Sequence, residues 1–354
     1  MSFESAVNEV VSAIRPTDPA VETAAWERLD NLTKPPRSLG RLEEIAAKVS
    51  RVQGTDHPSV AKKIILLMAG DHGVVAEGVA MFPQDVTWQM VANFAAKGAA
   101  INQIAASVGA EVRVHDVGVA KDISDMGGFE HVKVAMGTAN MAKGPAMTRE
   151  ECAQAIMVGV DAARMAIAEG CTLIGIGEMG IGNTTAASAL TAAFAGASVE
   201  DIVGPGAGAT DEILARKIAV IKTALEVNGV SGLDALGVLA AVGGLEIAAM
   251  AGVVLACAAA GVCVVSDGVI SGSAALAAVR ICPTAADYVF PSHRSAEPAH
   301  SVQLAALSMA PVLELDMRLG EGTGAALTMG IMDAAVRMIS GMVTFAEAGV
   351  SVPE

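Results

Sequence analysis

Short apolar runs separated by longer Ala-rich stretches order the chain from Lys63 onward. The runs are Ile64–Met68, Val112–Val114, Val132–Val134, Thr172–Ile176, Val262–Val265, Tyr288–Phe290 and Val312–Leu315. Each has the length of a strand buried on both faces. The segments between them carry apolar residues at helical spacing. Strand, helical crossover and strand in repetition predict an α/β fold: a doubly wound, mainly parallel sheet with helices on both faces. Glu111-Val112-Arg113-Val114-His115 and His131-Val132-Lys133-Val134 alternate between polar and apolar positions, as strands near a sheet edge do.

The first sixty residues break this pattern, being more charged and holding many of the prolines. Leu39, Leu42, Ile45, Ala46 and Val49 predict a helix, entered from the loop Lys34-Pro35-Pro36-Arg37-Ser38-Leu39-Gly40. From about Met329 the pattern is helical again, with no strand. Residues 1–60 with 329–354 are therefore expected to form a small helical domain, and 61–328 a large α/β catalytic domain. The uncharged stretch Ile247–Val265 is long enough to span a bilayer. Gly261 divides it, so it is read as helix, turn and buried strand.

Composition narrows the function. The chain is 53% hydrophobic but only 3% aromatic, which gives no stacking platform for single-stranded nucleic acid. A net charge of −15 repels nucleic acid and anionic membrane surfaces alike. A small anionic substrate stays open, because helix N-termini and a few cations can hold it locally. The five cysteines form no C-x-x-C pair and mostly sit in apolar runs, as reduced core residues of a cytoplasmic protein do. No basic region followed by an apolar stretch opens the sequence, so no secretory signal is expected.

Open parallel sheets bind ligands past the carboxyl ends of their strands. Past Ile64–Met68 comes Ala69-Gly70-Asp71-His72-Gly73-Val74. Past Thr172–Ile176 comes Gly177-Glu178-Met179-Gly180-Ile181-Gly182-Asn183-Thr184-Thr185. Past the next two runs come Ser266-Asp267-Gly268 and Pro291-Ser292-His293-Arg294-Ser295-Ala296-Glu297. Past Val312–Leu315 comes Asp316-Met317-Arg318-Leu319-Gly320-Glu321-Gly322-Thr323-Gly324. So many acids beside so many glycines predict one shared active site.

The segment Gly175–Thr185 is the phosphate candidate. Its glycines let backbone amides approach an oxyanion, and Asn183, Thr184 and Thr185 can cap a helix over Ala186–Phe194. It also spells G-x-G-x-x-G at Gly175, Gly177 and Gly180, which raises a nicotinamide-dependent oxidoreductase as an alternative. No convincing strand ends in an acid at the spacing that fold needs, and Glu178 would set a carboxylate beside pyrophosphate. A protein that binds nucleotides or benzimidazoles without turnover is the other alternative. The six histidines show no metal-binding spacing, so Asp71, His72, Asp267 and His293 read as local hydrogen-bond formers; no metal or cofactor is assigned.

Two readings of Glu321 stand side by side. Flanking glycines let a ligand approach its carboxylate closely, as a catalytic group requires. Equally, it precedes the apolar helix Ala325–Met332, where an acid is favoured by the macrodipole. Lys217 reads as a solvated lysine, since Leu214, Ile218, Ile221 and Leu225 form the apolar stripe of its helix.

Five segments in order resemble the nicotinate-nucleotide–dimethylbenzimidazole phosphoribosyltransferase family of cobalamin lower-ligand synthesis. They are Ser38-Leu39-Gly40-Arg41-Leu42-Glu43, Ala69–Val74, Gly177–Thr185, Gly243-Gly244-Leu245-Glu246-Ile247-Ala248-Ala249-Met250 and Leu319–Gly324. The resemblance runs from Lys34-Pro35 to Thr328. It implies transfer of phosphoribose from nicotinate mononucleotide to 5,6-dimethylbenzimidazole, by a homodimer with a doubly wound α/β domain and a small helical one. It implies Glu321 as general base and Glu178 as a second carboxylate near the reacting groups. It gives Gly180, Ile181, Gly182, Asn183 and Thr184 to the phosphate, Lys217 to a substrate contact, and Phe82, Gln84 and Gln89 to the base pocket. Ser292, Gly320 and Gly322 complete the implied contacts. The sequence departs from the family at Pro205 and Ala207, where Arg and Thr are usual, and at Ala299 and Arg37, where glycine is.

Overall fold

The computed structural model describes residues 2–204 and 210–351, so the departures at Pro205 and Ala207 lie outside the described residues. Three helices, α1 (Phe3–Ala13), α2 (Pro19–Asn31) and α3 (Arg41–Gln53), precede β1 (Lys63–Gly70). Helices α4 (Asp85–Ala95) and α5 (Ala100–Ser107) lead to β2 (Ala110–Gly118) and β3 (Glu130–His131). Then come α6 (Arg149–Ala168), β4 (Leu173–Met179), α7 (Asn183–Ala195), α8 (Val199–Ile202), α9 (Asp211–Val227), α10 (Ala235–Val242) and α11 (Leu245–Ala260). The chain closes with β5 (Cys263–Ser266), α12 (Val269–Ile281), β6 (Val289–Pro291), α13 (Pro298–Ala306), α14 (Thr323–Gly341) and α15 (Phe345–Ala348).

The sheet order is β3-β2-β1-β4-β5-β6, and every pair is parallel. Because β2 and β3 lie to one side of β1 and β4 to the other, the connections reverse direction between β1 and β4. That is the switch point at which open α/β sheets take their ligands. Helices cover both faces, as expected: α14 and α5 pack on one, α11 and α6 on the other. On β1, Ile65 meets α14 through Gly175, while Gly70 meets Glu246 of α11.

The alternating runs do lie at the β3 edge. There the strand is Glu130–His131 rather than Val132–Val134, although Val132 and Val134 still donate to the carbonyls of Asp116 and Val117. The expected strand Val312–Leu315 does not join the sheet. It makes a single bridge, Leu313 to His293, and the left-handed φ of 52° at Asp316 ends its extended course. The stretch Ile247–Val265 divides as expected, α11 ending at left-handed Gly261 before β5. Among the described residues no helix is long and apolar enough to cross a membrane.

The proposed small unit, 1–60 with 329–354, has α2, α3 and α14 packed on one another, while α14 ties them to the sheet at β4. Within the large unit α11 is buried along almost its whole length, and it crosses α6 at van der Waals distance. A Cβ on Gly159 would stand 1.7 Å from the Ala249 carbonyl oxygen, and one on Gly252 1.9 Å from that of Ile156. The two glycines let the backbones touch. Gly252→Ala should therefore cost about 2 kcal/mol or more, as overpacking does. The midpoint of denaturant unfolding reads this, and Gly127→Ala, where a Cβ meets nothing within 4 Å, should leave it unchanged.

Candidate active site

A cleft of about 340 Å³ opens over the switch point. Glu178 enters it from the end of β4, Asp267 from just past β5, His293 from past β6, and Glu321 from the turn before α14. The sheet thus gathers acids that lie far apart in sequence.

The turn that carries Glu321 is unusual. Gly320, Glu321 and Gly322 all take left-handed φ, at 89°, 63° and 86°. Glycine adopts this freely, but a glutamate there costs about 1–2 kcal/mol. Asp267 holds the turn in place. Its Oδ1 accepts from the amides of Gly324 (2.7 Å) and Ala325 (3.1 Å), and its Oδ2 from that of Gly322 (3.1 Å). The N-terminus of α14 is thus filled by the chain's own carboxylate. Glu321, 6% exposed, accepts from the Ile101 amide at the start of α5 at 3.3 Å. Burial raises its pKa against that hydrogen bond, and Asp267 adds to the rise.

The Glu178 carboxyl packs against Gly320 and accepts from the side-chain amide of Asn183. Burial, then the negative charges of Asp267 and Glu246, push its pKa up to about 8. At neutral pH without ligand it holds a proton.

The other end of the cleft suits an anion. Helix α7 starts at Gly182 (φ 97°) with no side-chain cap, so Asn183, Thr184 and Thr185 are not the caps expected of them. Asn183 serves Glu178, and the Thr184 hydroxyl accepts from Lys217 Nζ at 3.1 Å. Lys217 is only 2% exposed, not solvated, because α9 packs on α7. Burial lowers its pKa, and the charge of Glu297 opposes that. Among the described residues no carboxylate lies within salt-bridge distance of it. A buried ammonium beside an uncapped helix N-terminus invites an anion.

Gly180, Ile181 and Gly320 line the cleft, and Phe82 forms an apolar wall with Val86 and Met90. Gly322 caps α14 behind it. Gln84 turns back to the His72 carbonyl at 3.4 Å and Gln89 is exposed, so neither lines the cleft. Ser292 is buried beneath, its hydroxyl donating to the Asp267 carbonyl at 2.9 Å. Gly175 and Gly177 are not a phosphate loop. They lie within β4, where a Cβ would strike Ile65 and the Glu321 carbonyl. Asp267 Oδ1 and His293 Nδ1 stand 3.7 Å apart, but among the described residues no three acids, histidines or cysteines are grouped to hold a metal. Ser295, Glu297 and Arg318, from the segments past the last two apolar runs, also line the cleft without having been assigned a role, and Val86 and Met90 of α4 line it without having been singled out. Their only signal is position after a strand or on an amphipathic helix.

A family described as phosphoribosyltransferase matches residues 14–350. The chain belongs to this family. It is 52% identical over 344 residues to the nicotinate-nucleotide–dimethylbenzimidazole phosphoribosyltransferase of Geobacter metallireducens, covering 97% of this chain and 98% of that protein. To the enzyme of the same name from Desulforamulus reducens it is 50% identical, with the same coverage. The crystal structure of the Thermus thermophilus enzyme of that name superposes with a TM-score of 0.90 at 48% identity, covering 95% of this chain and all of that one. The phosphoribosyltransferase fold is therefore shared over the whole catalytic sheet.

If Asp267 anchors the site, Asp267→Ala leaves three buried amides unpaired. It should cost about 3 kcal/mol or more in chemical unfolding. Asp267→Asn, which keeps one acceptor oxygen, should recover part of that loss.

Proposed function

We propose that the cleft transfers phosphoribose from nicotinate mononucleotide to 5,6-dimethylbenzimidazole, giving α-ribazole 5′-phosphate and nicotinate. The observation that carries this is the pairing of two buried carboxyl groups with an apolar wall at one end and an anion site at the other. The apolar wall of Phe82, Val86 and Met90 suits a flat aromatic base. The turn Gly180–Thr184, backed by Lys217, suits the 5′-phosphate.

One ring nitrogen of the base attacks C1′ as the bond from C1′ to the pyridinium nitrogen breaks. The bonding pair leaves with nicotinate, whose ring nitrogen becomes neutral and needs no acid. Glu321 takes the proton from the second ring nitrogen of the incoming base, which strengthens the nucleophile as the new bond forms. Its raised pKa fits that task. Attack from the face opposite the leaving group turns a β-nucleotide into an α-riboside. Positive charge grows on the ribose ring in the transition state, and ionised Glu178 would stabilise it, by analogy with the carboxylates of glycosidases. The cationic pyridinium of the bound nucleotide favours that ionisation. Holding both substrates in line supplies much of the remaining acceleration.

The family resemblance supports a homodimer, and Phe82 and Leu319 at the cleft mouth, more than half exposed, are apolar surface a second copy would cover. We assign the protein to the cytoplasm, in keeping with its buried, unpaired cysteines.

Glu321→Gln should lower kcat roughly 10²- to 10⁴-fold, the range of a lost general base. The affinity for nicotinate mononucleotide should hardly change. Unaltered turnover would leave Glu321 as a helix-start residue only. Lys217→Met should instead raise KM for nicotinate mononucleotide roughly tenfold or more, with a smaller effect on KM for the base. The pH profile gives a third check. Glu178 must ionise in the free enzyme, so kcat/KM for nicotinate mononucleotide should climb with pH to a plateau above about 8. Glu178→Gln should remove that limb.

A further inference from the structure

Two residues past the end of β1, His72 is buried against Glu246 in the first turn of α11, far away in sequence. The imidazole Nε2 and the carboxylate Oε1 are 2.7 Å apart, and neither side chain is more than 1% exposed. Neither lines the cleft, so the chemistry does not use them directly. Burial disfavours a charged imidazole, yet the charge and hydrogen bond of Glu246, with Asp71 beside them, outweigh it and raise the His72 pKa. The pair is hydrogen-bonded yet wholly buried, a costly thing to take out of water unless it serves a purpose.

Its place suggests the purpose. A Cβ on Gly180 would stand 2.2 Å from the Gly70 carbonyl oxygen and 3.5 Å from Glu246 Oε1. One on Gly182 would stand 2.8 Å from Val75 Cγ2 and 3.2 Å from the His72 Cβ. The pair lies beneath the turn that opens α7, together with the Gly70 carbonyl and Val75. From the other side the turn is held by the Thr87 hydroxyl, which accepts from the Ile181 amide at 3.1 Å. With the Gly70 carbonyl and Val75, these contacts close in on the turn from which Asn183 and Thr184 meet the cleft.

We propose that His72 and Glu246 form a positioning pair for the phosphate: they prop the Gly180–Asn183 turn from below, so that the α7 amides and Thr184 stand preorganised for the 5′-phosphate. This rests on the reading of that turn as the phosphate site. A pair that only stabilised the core would affect both substrates alike, whereas a prop under one turn acts on one ligand.

Titration calorimetry on the full chain, well below the unfolding temperature, separates the two. His72→Ala should weaken nicotinate mononucleotide and ribose 5-phosphate by roughly tenfold or more, about 1.4 kcal/mol, while dimethylbenzimidazole binds as before. Glu246→Ala reads the same quantity should His72→Ala fail to fold. Glu246→Gln, which keeps the shape and a hydrogen bond, should stay within about threefold of the natural protein. Equal losses for phosphate ligand and base, or no loss for either, would overturn the proposal. These are binding measurements, so absence of transfer by the natural protein would count against the proposed reaction and not against the prop.

Discussion

A carboxylate buried under a helix N-terminus holds the site together. Asp267 takes the amides of Gly322, Gly324 and Ala325, and in doing so fixes the left-handed turn that carries Glu321. Hydrogen bonds to a charged group contribute about 1.5–3 kcal/mol each, enough together to offset the strain at Glu321. The turn in turn sets Gly320 against Glu178 and runs its backbone alongside Gly177 of β4. A side chain at either glycine would separate the two acids from the sheet that presents them.

The electrostatics follow from this crowding. Glu178, Asp267 and Glu321 share one water-poor end of the cleft, and burial raises the pKa of all three. Acids crowded together away from water are relieved by a nearby cation. The pyridinium of nicotinate mononucleotide is a cation, and so is the ribose as its glycosidic bond breaks. The opposite end carries the compensating charge, Lys217 beneath Thr184. The cleft is therefore polarised along the length of a nucleotide, negative at C1′ and positive at the phosphate, on a chain whose overall charge of −15 would repel an anion from most directions.

Much of the fold was legible because a buried parallel strand leaves a continuous apolar run. Ile64–Met68 and Thr172–Ile176 are such runs, and Glu178, just past the second, enters the cleft. The errors have physical causes. Val312–Leu315 looks like a strand, but it makes one bridge, Leu313 to His293, and past it Leu315 is half exposed before the turn at Asp316. Gly175 and Gly177 serve close packing, which a linear pattern cannot distinguish from phosphate binding. Lys217 lies off the apolar stripe of α9, yet a second helix covers that face too. Asp267 was visible as an acid after a strand, but its partners lie more than fifty residues on. Glu321 itself was ambiguous between catalyst and helix start. Asp267 caps α14, while Glu321 lines the cleft and accepts from the Ile101 amide in the first turn of α5.

The most direct test of this account is to identify the products formed from nicotinate mononucleotide and 5,6-dimethylbenzimidazole by the purified chain. Chromatography should show nicotinate and a riboside phosphate appearing in equal amounts, and proton NMR should show the α configuration at C1′. A β-riboside would contradict in-line attack from the opposite face, and absence of both products would contradict the transfer itself.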